Sequence, residues 1–386
     1  MKKLKVIILH NFMAPYRFPL FAEIAKDKNI DLEVWFLSES AKNRRWRISS
    51  GIKLPFKYKV LPKLEFNFRG KDLFTWIFNP TFPFELIKSK YDVVISAGWL
   101  DFACQAALFI SKILRKRYVI WSESTIYEPS WRRNLTMPLV KLIVQYADAC
   151  IPIGTRASEY LIKLGASPVK IFVAISTVDT KHFEKNSRIS EKEKSFFKKK
   201  LGIKTNKLIL YVGQLIERKG LRFLLRAFAR LKKENPDVGL LIVGYGPQKQ
   251  ELLNICKKEK IRDVYFSRHV ELDQMPKMYG LADLFVLPST EETWGLVINE
   301  AMASGLSIIT TDRVGASVDL VKNRENGYVV ESSNVNELHK AMKTIVENPK
   351  LLAKMRERSK ELINNFGPDA QARGFLRAIN HVSLRN

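Results

Sequence analysis

The sequence predicts an α/β protein of two domains, each a parallel sheet with crossover helices, and three observations carry that reading. The chain has 386 residues, more than one hydrophobic core usually supports. Hydrophobic residues make up 46% and charged residues 27%, so a sizeable core is available and disorder is not the default. Short β-branched runs alternate with helical stretches, and the alternation occurs twice.

In the first half the strand-like runs are residues 4–10, 32–36, 92–96, 117–122, 148–153 and 170–174. The opening MKKLKVIILHNF has a basic start and a short apolar run but no small-residue cleavage site, so it reads as a buried first strand rather than a signal peptide. Residues 93–111 are the nearest thing to a membrane span, yet Gly98 and Asp101 interrupt them, which predicts a strand followed by a helix. Residues 37–80 are rich in Arg, aromatic residues and Pro and read as an excursion without assigned structure. A lysine-dense polar stretch at 184–206, with one short amphipathic piece, reads as the linker. Runs at 207–213, 238–244, 263–267, 283–289, 306–311 and 327–330 then repeat the pattern. The expected domains are therefore 1–185 and 186–365, followed by a final segment, 366–386.

Charge is the unusual quantity: 65 Lys+Arg against 39 Asp+Glu leave +26. Such a surface seeks an anionic partner, and nucleic acid, an anionic lipid headgroup and a phosphorylated small molecule all qualify. Basic and aromatic clusters at Arg44-Arg45-Trp46-Arg47, Arg115-Lys116-Arg117 and Trp131-Arg132-Arg133 fit an anionic membrane surface, and equally a generally basic solvated one. Cys104, Cys150 and Cys256 are far apart with no CxxC pair, which argues against a disulfide framework or zinc ribbon and fits a reducing cytoplasm. His10, His182, His269, His339 and His381 show no metal-ligand spacing, and no Asp-x-Asp occurs, so no metal is expected.

Ligands of open parallel sheets bind beyond the carboxyl ends of the strands. After the first run of the second half comes GQLIERKG, where Gly213 ends a strand, Gly220 opens a helix, and Arg218 and Lys219 stand at its N-terminus. Free backbone N–H groups and adjacent cations make that a diphosphate site; a solvated basic helix start would read the same way. Gly244, in GYGP, allows close backbone approach to a ligand, but the turn is no GxGxxG and does not support nicotinamide-dinucleotide binding. The stretch STEETWGLVINEAMASG at 289–305 holds Glu292 and Glu300, separated by seven residues. A helix opening near Gly295 puts Glu300 roughly one and a half turns in and leaves Glu292 in the preceding loop. Glu300 then suits the vicinal hydroxyls of a ribose and Glu292 a sugar hydroxyl, while the amides of Gly295 and Leu296 face phosphate. As a bare pattern, solvated or capping glutamates fit too.

The glutamate pair, the 213–220 turn, the Gly-x-Gly turn and the strand from Ala282 to Ser289 together resemble, in order and spacing, the second domain of family 4 retaining glycosyltransferases. The resemblance implies the GT-B fold: two Rossmann-like domains facing a central cleft, with a C-terminal helix from Phe366 crossing back to the first. It implies that Lys219 contacts the donor diphosphate, that Glu300 binds the ribose, that Glu292 with the Gly295 and Leu296 backbone holds sugar and phosphates, and that the base lies near His269 and Val270. The sequence departs from the pattern at Gln214, where the family usually has Arg; Arg218 is the candidate replacement. The first half agrees more loosely. Residues 10–21 resemble a Pro-Tyr-Arg acceptor-side loop, which makes Asn11, Tyr16 and Arg17 acceptor-side candidates. Residues 174–179 with Phe183 resemble an Asn-Gly-Val-Asp…Phe segment in which Ser-Thr replaces Asn-Gly. Glu123 ends a strand where many relatives place a histidine, and is a sugar or acceptor contact or a helix cap.

The function so implied is retaining, metal-independent and cofactor-free transfer of a sugar from a nucleotide-diphosphate sugar, with Lys219, Glu292 and Glu123 as catalytic candidates. The acceptor is a hydroxyl of a glycan or lipid-linked saccharide in cell-surface polysaccharide biosynthesis, and the expected location is the cytoplasm or the inner membrane face. Two alternatives stand beside it: a non-catalytic nucleotide-sugar binder, and a nucleic-acid-binding protein, which leaves the glutamate pair unexplained.

Overall fold

A computed structural model describes residues 3–40, 53–68, 74–128, 131–267, 270–271 and 273–384. The chain divides into two compact units, Met1–Ser176 with Pro368–Asn386, and Thr177–Gly367.

The first unit holds strands β1 (Leu4–His10), β2 (Ile30–Phe36), β3 (Lys57–Val60), β4 (Leu64–Phe68), β5 (Phe74–Phe78), β6 (Val93–Ala97), β7 (Arg117–Ser122) and β8 (Ala149–Pro152). Its helices are α1 (Phe18–Ala25), α2 (Phe82–Lys88), α3 (Phe102–Ile113), α4 (Trp131–Tyr146) and α5 (Thr155–Lys163). Six strands form a parallel sheet in the order β3-β2-β1-β6-β7-β8. β1 is central, with Val6 opposite both Leu32 and Val93, and is buried on both faces as a run of apolar residues requires. Phe82 and Leu86 of α2, Ala107 of α3, Ile143 of α4 and Leu161 of α5 share one core against this sheet.

Residues 93–111 form the strand-then-helix unit β6–α3, as their Gly98 break predicts. Among the described residues no helix is long and apolar enough to cross a membrane. Two elements differ from the sequence expectation. Residues 170–174 are not a strand: Phe172 and Ala174 donate their N–H groups to Cys150 and Pro152 of β8, but Pro152 has no N–H to return, and only the Cys150–Ile171 bridge forms. The sixth strand is instead β3, from the excursion left unassigned, which also supplies the antiparallel hairpin β4–β5.

The second unit contains α6 (Thr180–Asn186), α7 (Glu191–Leu201), α8 (Leu221–Glu234), α9 (Lys249–Lys258), α10 (Met275–Gly280), α11 (Leu296–Ala303), α12 (Ala316–Leu320), α13 (Val335–Val346) and α14 (Pro349–Ile363). Its strands are β9 (Lys207–Val212), β10 (Val238–Val243), β11 (Val264–Ser267), β12 (Leu284–Leu287), β13 (Ser307–Thr311) and β14 (Gly327–Val330). They form a second parallel sheet, β11-β10-β9-β12-β13-β14, with the strand order reversing beside β9. The division between units falls at Thr177, ahead of the lysine-rich stretch, because α6 packs on α10 and α11 of the second unit. Within that stretch α7 is set by a capping box between Ser190 and Glu193 and stopped by Gly202 in the left-handed conformation.

The last helix, α15 (Pro368–Ser383), belongs to the first unit, where it packs on α1, β7 and β8. Phe375 meets Trp121 edge to face, with ring centroids 5.0 Å apart, and Arg377 donates to the Val173 carbonyl at 3.2 Å. Truncating the buried Phe375 to alanine should lower the stability of the first unit by about 3–5 kcal/mol in urea unfolding, and an unchanged midpoint would contradict this docking of α15.

Candidate functional site

In the second unit Lys219 and Glu292 meet where β9 and β12, neighbours in the sheet, release their chains. β9 ends at Val212, just before Gly213, and a single 3-10 turn, Glu217–Lys219, leads to Gly220 and α8. Gly220 is left-handed, with φ +67°, and a Cβ there would lie 2.1 Å from the Pro288 carbonyl oxygen. Only glycine lets this turn sit against the end of β12. Thr290 donates its backbone N–H to the Arg218 carbonyl at 2.8 Å, and the Arg218 guanidinium donates to the Glu291 carbonyl at 3.2 Å. The two loops are thereby stitched together, and Lys219 forms an ion pair with Glu292. Their side chains are 11% and 12% exposed. A pair so little hydrated is costly to break from one side, because the stranded partner keeps its desolvation penalty.

The loop after β12 is held from the other side as well. Glu292 donates its N–H to Arg313 and accepts from the Gly315 N–H, and the buried Trp294 indole donates to Asn299 of α11 at 3.0 Å. Gly295, with φ +97°, opens α11 at Leu296, as the sequence reading placed it. The first amides of that helix have no carbonyl one turn earlier to accept them. Glu300 lies in the second turn, and the Tyr279 hydroxyl of α10 donates to its Oε2 at 2.6 Å. Part of Glu300 remains accessible, but its carboxyl lies deep enough that lost hydration pushes its pKa up to about 7, against the opposing Tyr279 bond. Tyr279 is itself buried, between Phe183 and Phe285. The sequence reading missed it; its only sign was an aromatic at a helical position, and pairing across two helices leaves no spacing signature.

Gln214 is half-buried, and its carbonyl accepts from the Tyr211 hydroxyl at 2.9 Å. Arg218 is exposed. At Gly244 a Cβ would meet the Gly213 carbonyl oxygen at 1.9 Å, so its missing side chain brings the β10 turn onto the β9 turn. Val270 is half-buried, whereas His269 lies outside the described residues. Among the described residues no group of three or more His, Cys, Asp or Glu is arranged to hold a metal ion.

In the first unit the acceptor-side candidates also collect at strand ends. Asn11, just past β1, donates to Asp101, just past β6, at 3.1 Å, and burial pushes the Asp101 pKa up to about 6. Arg17 is only 2% exposed and faces inward. Its guanidinium pairs with Glu123, donates to Ser176 at 2.9 Å and stacks over Trp121. Glu123 remains 47% exposed, its carboxylate anchored by that buried cation. Tyr16 is half-buried beside Arg17. His10 is enclosed by Phe12, Phe21, Phe36 and Trp121, and burial lowers its pKa to about 3, so it is a neutral ring whose Nδ1 donates to the Phe12 carbonyl. Of the basic clusters, 44–47 lie outside the described residues, as do the side chains of 131–133.

Two Rossmann-like units in one chain, the second with charged groups converging beyond its strand ends, define the GT-B fold class. Residues 193–362 match the family described as glycosyl transferases group 1. A similar protein is an uncharacterized glycosyltransferase of Haemophilus influenzae, 34% identical over 171 residues, which are 44% of this chain and 48% of that protein. Another, an uncharacterized glycosyltransferase of Methanocaldococcus jannaschii, is 32% identical over 257 residues, 64% of this chain and 63% of its own length. The chain thus spans between 48% and 63% of the length of these two relatives. The crystal structure of Anabaena HepE in complex with UDP and glucose matches 98% of this chain and 99% of its own, with TM-score 0.75 and 17% identity, a likeness of fold.

Glu300 provides a direct test of this geometry. Its pKa is raised from an ordinary 4.5 to about 7, so the folded state binds more protons than the unfolded one between those values. The stability this adds is full below about pH 4.5 and lost as pH rises through about 7. Between pH 4.5 and 8 the wild type should therefore lose up to about 3 kcal/mol more than Glu300→Gln in urea unfolding; equal losses would show the carboxyl to be ordinarily hydrated.

Proposed function

We propose that this chain transfers a sugar from a nucleotide-diphosphate sugar to a hydroxyl acceptor, with retention of anomeric configuration. The observation that carries the reading is the Lys219–Glu292 pair beside the α11 N-terminus, which brings a cation, an acid and the first amides of a helix to the ends of two neighbouring strands. In the reaction the bond between the anomeric carbon and the phosphate oxygen breaks, and a bond from that carbon to the acceptor oxygen forms. Negative charge grows on the leaving diphosphate. Lys219 and the amides of Gly295 and Leu296 stabilise it as fixed groups that need no reorganisation. Glu292 holds a hydroxyl of the transferred sugar, and the acceptor proton passes to the departing phosphate oxygen on the same face.

Glu300 accepts the ribose hydroxyls, with one carboxylate oxygen kept in place by Tyr279. Arg218 and Gln214 flank the phosphates and Val270 the base. The acceptor is assigned to the first unit, where Glu123, Asn11 and Tyr16 offer hydrogen-bonding groups at the strand ends, and Arg17 positions Glu123. The acceptor class that fits such contacts is a glycan or lipid-linked saccharide of a surface polysaccharide. This reading uses no metal: the cation and helix terminus supply the charge a metal would.

Screening UDP-, GDP- and ADP-sugars by thermal shift should single out one donor, since a specific ligand stabilises the fold by the logarithm of its saturation. With that donor, Lys219→Ala, Glu292→Ala and Glu300→Ala should each reduce turnover by about 100-fold or more, and EDTA should leave the wild-type rate unchanged. Because each change at the ion pair strands a charge, unfolding is measured alongside. Near-wild-type rates in all three variants would refute the site, and donor binding without transfer or hydrolysis would make the chain a binder.

A further inference from the structure

Large apolar side chains exposed to solvent are shared unevenly between the units. Of the eighteen such residues described, fifteen lie in the first unit, and only Phe196, Leu253 and Val318 in the second. They concentrate on α2, α3 and α4, where Phe84 is 70% exposed, Phe109 50%, Ile113 80%, Leu135 76%, Leu142 38% and Tyr146 60%. These helices are neighbours, α2 against α3 and α3 against α4, and their inner sides share one core, so their outer sides form one surface. Phe109 and Ile113 are four residues apart, and Leu135, Leu142 and Tyr146 recur at seven and four, which places each set on one helical face. A helix on the outside of a water-soluble domain carries polar residues there.

Charge identifies what such a face fits. Residues 102–117 contain Lys112, Arg115, Lys116 and Arg117 and no acid, and residues 131–146 contain Arg132, Arg133 and Lys141 and no acid. Asp92 and Asp148, at the strand ends below, engage Lys112, Lys116 and Arg117, while Lys88, Arg115 and Lys141 are exposed. Apolar stripes interleaved with cations match the boundary of an anionic bilayer, where the apolar groups enter the acyl region and the cations stay among the headgroups. A second copy fits poorly, since two surfaces of a chain carrying +26 would meet.

We propose that the outer face of α2, α3 and α4 docks the first unit onto the surface of an anionic lipid bilayer, lying on it without crossing it. Docking requires nothing of the proposed reaction, and its test uses no nucleotide or sugar. The full chain is sedimented with vesicles of phosphatidylcholine alone or mixed with phosphatidylglycerol, at low and high salt. It should bind only the phosphatidylglycerol vesicles and lose affinity severalfold in high salt.

Ile113→Glu with Leu142→Glu should reduce binding at least tenfold without moving the thermal unfolding midpoint, because both sites already face solvent. Phe109→Ser with Tyr146→Ser provides a milder pair should the glutamates perturb the fold. Binding that survives both pairs, or that falls with Arg115→Glu but not with either apolar pair, would overturn the role of this face. So would failure to sediment with either vesicle. A dimer by light scattering that Ile113→Glu dissociates would assign the surface to a second copy and overturn the proposal as well.

Discussion

The candidate site depends on one steric constraint, the contact of the Gly220 turn with the Pro288 carbonyl. β9 and β12 are adjacent parallel strands although the sequence between them contains two other strands. Their exit loops therefore leave the sheet side by side, and an L side chain at position 220 would hold them apart. With glycine there, the hydrogen bonds from Thr290 and Arg218 close, and Lys219 and Glu292 come into an ion pair. The pair follows from packing, and its low hydration is what gives each charge its strength.

The same economy of position recurs at Glu300 and Glu123, in opposite electrostatic settings. Glu300 sits against a buried phenol, which donates one hydrogen bond but no charge, and desolvation dominates its titration. Glu123 sits against a buried guanidinium and keeps about half its surface in water. The first is suited to a neutral hydroxyl partner held close; the second can reach outward while its base stays fixed. His10, enclosed by aromatic rings, is structural for the same reason that Glu300 is perturbed: burial disfavours the charged form.

Much of the fold was legible because parallel strands buried on both faces appear as continuous apolar runs, and eleven of the twelve runs read from the sequence are strands. The exception, 170–174, has the right composition but lies beside Pro152, whose missing N–H ends the ladder. The composition of one segment says nothing about the donor its neighbour lacks. β3 went unread because it is a short edge strand in a stretch of mixed polarity. At the site, the loop position of Glu292 and the start of α11 were legible, since both follow from a glycine and helical spacing. The inward turn of Arg17 and the bond from Tyr279 to Glu300 were not, because each joins residues from different elements.

The sequence by itself determined two α/β units, the strand order of local events along each, and which loops carry charge, because these depend on short-range pattern. Only the tertiary structure decided which charges meet, which are hydrated and which apolar residues remain outside. Whether Lys219 faces Glu292 or water, and whether Ile113 lies in a core or on a surface, depends on the partners that sheet order and helix packing bring from distant parts of the chain.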